Sequence, residues 1–345
     1  MKPRIVVDVM GADHPPAELA AGAVRAAAGL PIRLVLAGRR TDLPPNLPKT
    51  VEVLDCTAVG TGESPVQAAR KGDTSIARGI EAVATGHADA FLSPGNTGAV
   101  VSAALLRLGR LPGVLRPGLC ASLPTLAGEV LLIDAGATAD PKPVHLLQFA
   151  DLGTIYAREV LGIPRPTVGL LNIGTEPGKG DKLARAAHDL LSGRDGFSGN
   201  VEPHTILTER PVDVVVSGGF VGNLFLKAIE GGAEAVLAAT RAALMGSPRA
   251  KLGAWLARPA LRGVAQKLRY EEHNAAPLLG VNGLVVVAHG RSDARALEGA
   301  LRRTYQACQA GIVEKLAARI ATPPGTGLAN PGAPRVRSAT PGSQA

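Results

Sequence analysis

The residues best suited to chemistry stand in short, polar, glycine-rich segments, each of which follows an apolar, β-branched run. The clearest is Ser93–Ala99, in which Asn96 and Thr97 lie between Gly95 and Gly98. Glycine lets backbone N–H groups approach a ligand closely, and a helix N-terminus leaves N–H donors unpaired. Asn and Thr side chains add further donors. The segment is therefore predicted to hold a small anion, most simply phosphate.

Other segments with this composition follow further apolar runs along the chain. They are Asp8–His14, Asp134–Asp140, Asn172–Gly180, Ser217–Asn223, Ala276–Gly283 and His289–Ser292. Each also has a purely structural interpretation, because Asp and Asn commonly cap helices or form turns, and His is commonly an exposed side chain. Their accumulation favours a shared binding site over a series of unrelated turns.

The elements between these segments alternate between strand-like and helix-like patterns. The predicted strands are Arg4–Val9, Ile32–Gly38, Val51–Asp55, Ala88–Ser93, Glu129–Asp134, Thr167–Ile173, Val212–Ser217 and Gly283–Ala288. The predicted helices include Pro15–Ala28, Gly98–Leu108, Val144–Val160, Lys182–Leu191, Gly222–Leu244 and Ser292–Ile320. Such alternation predicts the α/β class, a doubly wound α/β/α sandwich with a mostly parallel sheet. Ligands bind beyond the carboxyl ends of such strands, so the polar segments are expected to meet at one edge of one sheet.

Two parts of the chain are predicted from their organisation. Residues 1–320 form one α/β catalytic body, with a loop near 44–48. Residues 321–345 are rich in Pro, Gly, Ser and Thr and have no hydrophobic periodicity. That composition is typical of a disordered tail.

Composition narrows the class of protein. The 345 residues are 46% hydrophobic, which is enough for a sizeable core, but no apolar run approaches the roughly 20 residues that span a bilayer. Cys56, Cys120 and Cys308 are too scattered to indicate a zinc site or a disulfide framework. The chain enters a strand-like run at once, without the pattern of a signal peptide, so a cytoplasmic location is expected.

Common motifs are missing from the sequence. It contains no GxxxxGK[ST] loop, no GxGxxG after the first strand, no HExxH and no GxSxG. Neither a nucleotide cofactor nor a metal is therefore predicted. Cys120 is a poor candidate for a nucleophile, because no base can be paired with it from the sequence.

The net charge of +8 is concentrated in one segment, Arg241–Tyr270, which contains seven Lys and Arg residues and no Asp or Glu. Such a segment attracts nucleic acid, an acidic protein or an anionic membrane. Leu252, Trp255 and Leu256 have the spacing of one helical face, and prolines are expected to divide the segment into short helices. Only Trp255 and Tyr270 could stack on bases, so nucleic acid is not predicted as a partner.

Six segments together resemble a known family, the bacterial phosphate acyltransferases that make acyl phosphate from acyl carrier protein (acyl-ACP:phosphate acyltransferase, PlsX type). They are Asp8–Asp13, Ser93–Ala99, Asp134–Ala150, Asn172–Gly180, Asp213–Gly231 and Ala276–Ser292. They run in the family's order over nearly the whole chain, and only the tail lies outside the resemblance.

The resemblance implies a fold related to phosphotransacetylases and isocitrate dehydrogenase-like enzymes, a homodimer, and no metal or organic cofactor. It implies transfer of a fatty acyl group from acyl carrier protein to inorganic phosphate, for phospholipid synthesis. The acyl phosphate would pass to a membrane glycerol-3-phosphate acyltransferase. The protein would associate peripherally with an anionic membrane surface through residues 241–270.

The candidate site residues follow from the matched segments. Asn96, Thr97 and Gly98 would bind phosphate or the oxyanion, and Lys179 would neutralise phosphate charge. The acid, base or orienting candidates are Asp8, Asp13, His14 and His289. The remaining substrate-binding candidates are Ser93, Gly95, Asn172, Gly174, Asn223 and Asn282.

The sequence departs from the family pattern at several positions. Ala12, Thr138, Gly218 and Asn274-Ala275 stand where the family has Gly, Asn, Asp and Gly-Gly. The change at Gly218 removes a carboxylate near the expected site. Two alternatives remain open at this stage: an isocitrate or isopropylmalate dehydrogenase-like oxidoreductase, suggested by the related fold, and a nucleic-acid-binding protein, suggested by the charge.

Overall fold

A computed structural model of the chain describes residues 1–58, 60, 63–267 and 275–321, with the backbone alone for 262, 264–267 and 321. Its strands are β1 (Arg4–Asp8), β2 (Arg33–Ala37), β3 (Glu52–Leu54), β4 (Ala90–Ser93), β5 (Gly118–Leu119), β6 (Ala121–Thr125), β7 (Gly128–Ile133), β8 (Val168–Leu171), β9 (Phe197–Val201), β10 (Val214–Val216), β11 (Ala276–Leu279) and β12 (Leu284–Val287). Its helices are α1 (Pro16–Ala28), α2 (Pro65–Arg70), α3 (Ser75–Ala84), α4 (Thr97–Arg107), α5 (Pro143–Glu159), α6 (Lys182–Leu191), α7 (Pro203–Glu209), α8 (Gly219–Met245), α9 (Pro248–Leu256), α10 (Arg258–Lys267), α11 (Ala294–Gln309) and α12 (Ile312–Ala321).

The described strands form two mostly parallel sheets. One has seven strands in the order β3-β2-β1-β4-β12-β11-β5, and the other has five in the order β6-β7-β10-β8-β9. In the first sheet β11 runs antiparallel to both of its neighbours. In the second sheet β6 runs antiparallel to β7. The predicted α/β class is confirmed, with its strands divided between two sheets.

One continuous stretch of chain joins the sheets. β5 is the last strand of the seven-stranded sheet, and β6 is the first strand of the five-stranded sheet. Only Cys120 separates them, and its backbone N–H donates to the Pro277 carbonyl in β11 at 3.0 Å. The chain therefore crosses from one sheet to the other within a single extended segment.

Two layers of buried side chains cover the faces of both sheets. One layer contains Ile5 of the first sheet together with Leu131 and Val214 of the second. The other layer contains Phe91 of the first sheet and Val215 of the second. Burial of aliphatic surface in both layers therefore holds the two sheets together as well as the helices that cover them.

All eight predicted strands are confirmed, with ends that differ by up to two residues. β5, β6, β9 and β11 were not predicted. Pro124 in β6 and Pro277 in β11 disguise the extended character of those two strands, β5 has only two residues, and β9 contains Ser198, Gly199 and Asn200. Pro124 is accommodated because β6 is an edge strand. The predicted helix Ser292–Ile320 is in fact two helices, and Gly311, with φ of 59°, turns the chain between them.

The expectation of one sheet with one ligand-binding edge was wrong. β1, β4 and β12 present their carboxyl ends from the first sheet, and β7, β8 and β10 present theirs from the second. Hydrophobic periodicity predicts that a strand is buried on both faces, but it carries no information about which strands pair.

The basic segment is helical where the structure describes it. Pro248 stands in the first turn of α9 and Pro259 follows the first residue of α10, so the predicted division into short helices is confirmed. Residues 268–270 of the segment, Asn274 and the predicted tail from 322 onward lie outside the described residues. Even α8, with 27 residues, lacks the sustained apolarity that a helix crossing a bilayer requires, as does every other helix of the described part of the chain.

The start of α8 predicts a contrast between glycines of one helix. A Cβ atom on Gly222 would overlap the Asp134 carbonyl oxygen, whereas one on Gly231 would meet nothing within 4 Å. Gly222→Ala should lower the free energy of unfolding by about 1–3 kcal/mol, because neither backbone can yield easily. Gly231→Ala is the control and should raise it by about 0.5–1 kcal/mol, as alanine does inside a helix. Urea unfolding followed by circular dichroism measures both, and equal stability of the two variants would contradict the packing described.

Candidate active site

A buried carboxylate organises the strand ends of the seven-stranded sheet. Asp8, at the end of β1, accepts the Ser93 hydroxyl at 2.7 Å and the Met10 backbone N–H at 2.8 Å. The Ser93 hydroxyl oxygen in turn accepts the Gly95 N–H at 3.0 Å. Burial raises the pKa of Asp8 above its ordinary value, and these hydrogen bonds oppose the rise. Asp8 and Ser93 therefore lie beneath the glycine-rich loops and hold them in place.

Glycine is required where these two loops touch. A Cβ on Gly11 would lie 2.5 Å from the Gly95 Cα, closer than any real contact. The loop after β1 and the loop after β4 therefore pack backbone against backbone. This contact places the start of α4 beside the first loop.

The N-terminus of α4 forms one wall of a cleft. Asn96 is the N-cap, and its side-chain oxygen accepts the Ala99 N–H at 3.0 Å. The N–H groups of Thr97 and Gly98 precede the first intrahelical hydrogen bond, which Val100 donates to the Asn96 carbonyl. The wall therefore presents backbone donors and the positive end of the helix dipole, a combination that binds anions.

A second buried carboxylate organises the five-stranded sheet. Asp134, after β7, accepts four backbone N–H groups: Leu119 at 2.9 Å, Gly136 at 2.9 Å, Ala137 at 2.8 Å and Thr138 at 2.6 Å. Burial is the largest influence on Asp134 and raises its pKa, against the opposing effect of these donors. Because Leu119 belongs to β5, this side chain bonds to both sheets.

Helix α8 forms the opposite wall. Its close approach to Asp134 is possible because Gly219 and Gly222 have no side chain there. Asn223, Leu226, Lys227 and Glu230 line the cleft, with the i, i+3, i+4, i+7 spacing of one helical face. Lys227 and Glu230 were not among the predicted site residues. Their spacing from Asn223 was the sequence signal that could have identified them.

The cleft between the walls has a volume of about 390 Å³. Its lining includes five of the predicted site residues: Gly95, Asn96, Thr97, Asn223 and His289. Its apolar surface comes from residues such as Leu119, Leu226 and Val287. Lys227 and His289 are the basic side chains among the described residues of this lining, so a cation on one wall faces a helix N-terminus on the other.

Two polar contacts cross from α8 to the loop after β12. His289 Nε2 lies 3.5 Å from Glu230 Oε2, and Arg291 Nη1 donates to Glu234 Oε1 at 2.8 Å. Glu230 and Glu234 are one helical turn apart. The loop after β12, which belongs to the first sheet, is therefore held against a helix of the second.

Three predicted site residues belong to the loop after β8 and are not part of the cleft lining. Asn172 is buried, donates from its side-chain amide to the Lys179 carbonyl at 3.1 Å, and accepts the Ile173 N–H at 2.8 Å. Gly174 is buried and Lys179 is exposed. In this structure Asn172 therefore holds its own loop together.

The remaining predicted residues, Asn282, Asp13 and His14, are dispersed and do not line the cleft. Asn282 lies at the opposite end of the sheet, because β11 and β12 form an antiparallel hairpin whose turn is remote from the carboxyl end of β12. The expected convergence therefore fails for Asn282. Asp13 is exposed and its N–H donates to the Gly290 carbonyl at 2.9 Å. His14 Nδ1 lies 3.7 Å from Glu18 Oε2 on α1.

Comparison with known proteins gives a family and a fold. A family model described as "Fatty acid synthesis protein" matches residues 3–315. A "Phosphate acyltransferase" of Desulfitobacterium hafniense (strain DSM 10664 / DCB-2) is 43% identical over 321 residues, covering 91% of this chain and 96% of the relative. Another, of Thermobifida fusca (strain YX), is 44% identical over 330 residues, covering 92% and 91%.

A solved structure of a phosphotransacetylase from Streptococcus pyogenes is similar in fold. It superposes with a TM-score of 0.55 at 15% identity, covering 89% of this chain and 94% of the other. At that identity the likeness concerns the fold alone. It agrees with the predicted relation to phosphotransacetylases.

The two walls predict that inorganic phosphate binds in the cleft. Lys227→Met should weaken phosphate binding at least about tenfold, because a charge-assisted hydrogen bond contributes roughly 1.5–3 kcal/mol. Lys182→Met removes an exposed lysine at the start of α6, outside the cleft lining, and serves as the control. Isothermal titration calorimetry with phosphate measures both. Equal weakening by both variants would show that Lys227 attracts phosphate only through the net charge of the protein and does not bind it directly.

Proposed function

The chain belongs to the phosphate acyltransferase family and is an acyltransferase that uses phosphate, and from that premise we propose its donor and its product. The donor is a fatty acyl thioester of acyl carrier protein, and the product is acyl phosphate. The observation that carries the proposal is the cleft in which the N-terminus of α4 faces Lys227 of α8. The oxidoreductase and nucleic-acid alternatives have no comparable support.

The cleft supports a direct displacement. Phosphate held at the N–H groups of Thr97 and Gly98 would present an oxygen to the thioester carbonyl carbon. Phosphate is already a nucleophile, so positioning supplies much of the rate. The developing oxyanion needs donors, and the amide of Asn96 lies at the same wall. Lys227 would balance charge on phosphate, in the role that the sequence suggested for Lys179.

Acyl carrier protein is proposed as the partner that delivers the acyl group. It is acidic, and the segment 241–270 carries seven cations without an acid. The cations Arg241, Arg249, Lys251 and Arg258 of this segment are exposed. Electrostatic attraction would bring the two proteins together before the thioester enters the cleft.

The protein is proposed to be cytoplasmic and to associate peripherally with a membrane through α9. A homodimer is proposed through the adjoining part of α8. Leu252, Trp255 and Leu256 are 60%, 66% and 66% exposed beside the cations of α9. Apolar side chains with flanking Lys and Arg suit an anionic membrane surface. There the product would pass to a membrane glycerol-3-phosphate acyltransferase. Exposed apolar residues further back on α8, Val236 and Leu237, suit contact with a second copy.

The reaction predicts acyl phosphate and a free thiol of acyl carrier protein from long-chain acyl carrier protein and phosphate. Hydroxylamine traps acyl phosphate as a hydroxamate, which is measured by colour or mass. Asn96→Asp keeps the capping oxygen but replaces the amide donor with a carboxylate, so it should lose about 10²-fold or more in rate while melting like the wild type. Wild-type protein that forms no more hydroxamate with phosphate than without it would refute the donor and the product.

Membrane association predicts sedimentation with anionic liposomes but not with neutral ones. Trp255→Glu with Leu256→Glu should abolish it and leave turnover of soluble acyl carrier protein substrate intact. The control is Leu126→Glu with Leu190→Glu, which changes the net charge equally at exposed positions elsewhere. Retained liposome binding by the first variant would refute the membrane surface. Loss of turnover in that variant, with the fold preserved, would show that Trp255 and Leu256, and not the cations alone, dock acyl carrier protein.

A further inference from the structure

His289 stands at the rim of the cleft beside the phosphate-binding wall. It follows β12, which pairs with β4, and the preceding Ala288 donates its N–H to the Ser93 carbonyl at 2.8 Å. The His289 side chain is 31% exposed and lines the cleft. His289 therefore lines the same cleft as the loop after β4, and a ligand bound at that loop would lie within the same cleft.

The backbone fixes which ring nitrogen of His289 carries the hydrogen. The Arg291 backbone N–H donates to His289 Nδ1 at 3.1 Å. A ring nitrogen that accepts a hydrogen bond has no hydrogen of its own, so the neutral ring carries its hydrogen on Nε2. That nitrogen is the one that lies 3.5 Å from Glu230 Oε2.

The separation from Glu230 is longer than an ordinary hydrogen bond. N–H···O bonds are typically about 2.7–3.2 Å long, so the carboxylate orients the ring without binding its hydrogen tightly. The hydrogen stays available for a shorter bond to a ligand in the cleft. Glu234 lies one helical turn after Glu230 and accepts a hydrogen bond from the Arg291 side chain. Arg291 is also the residue whose backbone N–H donates to His289 Nδ1.

We propose that His289 is a catalytic residue that acts as a neutral hydrogen-bond donor, and that Glu230 is its positioning residue. The Nε2–H would bond to the thioester carbonyl oxygen as it becomes an oxyanion. This assignment rests on the proposed function. In this role the ring donates a hydrogen bond and keeps its hydrogen, which distinguishes it from a general acid.

The reaction balances without a proton from histidine. An oxygen of HPO₄²⁻ forms a bond to the carbonyl carbon, and the carbonyl electron pair moves to oxygen, where His289 stabilises it. The pair returns, the carbon–sulfur bond breaks, and sulfur leaves with its electrons. The proton of HPO₄²⁻ ends on that sulfur, giving the thiol and the acyl phosphate dianion. His289 has the same hydrogen before and after.

Among the described residues, the charged groups near the ring are Lys227, Glu230 and Glu234 on α8 and Arg291 on its own loop. The loop after β1 contacts the same loop through its backbone, since the Asp13 N–H donates to the Gly290 carbonyl at 2.9 Å. Arg291 is paired with Glu234, and Lys227 lies one turn before Glu230 on the helix. The described neighbourhood therefore contains charge of both signs around a ring held in one tautomer.

A set of three substitutions at His289 tests the donor. His289→Ala should lower kcat by about 10²-fold or more, the usual cost of one oxyanion donor. His289→Gln places an amide N–H near the position of Nε2 and should recover much of that loss, whereas His289→Asn is too short and should not. His204→Gln, at an exposed histidine of α7 outside the cleft lining, should leave the rate unchanged. The assay is hydroxamate formation from acyl carrier protein substrate, with kcat and KM for phosphate determined separately.

Nitrogen-15 NMR of the labelled histidine ring provides a signature that a structural role would not produce. At the pH of the assay, wild-type His289 should have a hydrogen on Nε2 and none on Nδ1. Glu230→Gln keeps an oxygen that accepts the Nε2–H, so it should preserve this signature and most of kcat. Glu230→Ala releases the ring and should lower kcat by up to about 10²-fold, the cost of a small misplacement.

Several results would overturn the proposal. A Gln variant no better than the Ala variant would remove the donor role, provided that both melt like the wild type. An imidazolium signal at assay pH would make His289 a proton donor instead. Wild-type protein that forms no phosphate-dependent hydroxamate would remove the proposed function and this role together, whereas an active wild type with equal Ala and Gln variants would refute His289 alone.

Discussion

The carboxylate of Asp134 is the constraint on which the rest of the site depends. It is fully buried and accepts four backbone N–H groups, one from the seven-stranded sheet and three from the loop beside the five-stranded sheet. Losing it would leave four donors without an acceptor in an interior where each unsatisfied group costs free energy. The side chain therefore fixes β5 and the loop after β7 relative to one another. The start of α8 is tied to that loop by the Gly219 N–H, which donates to the Thr138 carbonyl at 3.0 Å.

The two walls of the cleft are built on the same physical plan. Each sheet ends a central strand in a buried aspartate, Asp8 or Asp134, and each aspartate binds nearby loop groups rather than facing the ligand. Glycine then lets the next segment pack against that support, as Gly95 does on one side and Gly222 on the other. The candidate groups on α4 and α8 are thus carried by helices whose first turns are held in place, which is the arrangement that positions reacting atoms well.

Much of this could be predicted from the sequence, and the rest could not for identifiable reasons. Hydrophobic runs predicted the strands, and the glycine-rich segment at Asn96 predicted a helix start that the structure contains, while anion binding there stays a prediction. Asn282 was misplaced because sequence patterns do not reveal that its strand pair is an antiparallel hairpin. Lys227 was missed because it lies inside a helix, whereas the polar segments that predict a site follow strands. Asp134 was identified as part of a polar segment, but its four backbone partners depend on tertiary structure.

The order of strands in the seven-stranded sheet has a consequence for synthesis on the ribosome. All members of the five-stranded sheet lie between Ala121 and Val216, so that sheet can assemble as soon as this stretch has emerged. In the other sheet β12, ending at Val287, is inserted between β4 and β11. Until β12 has been synthesised, β4 therefore has an unpaired edge, and unpaired strand edges promote aggregation. The sheet that contains β1, the first strand of the chain, is therefore completed after the sheet that is made from the middle of the chain.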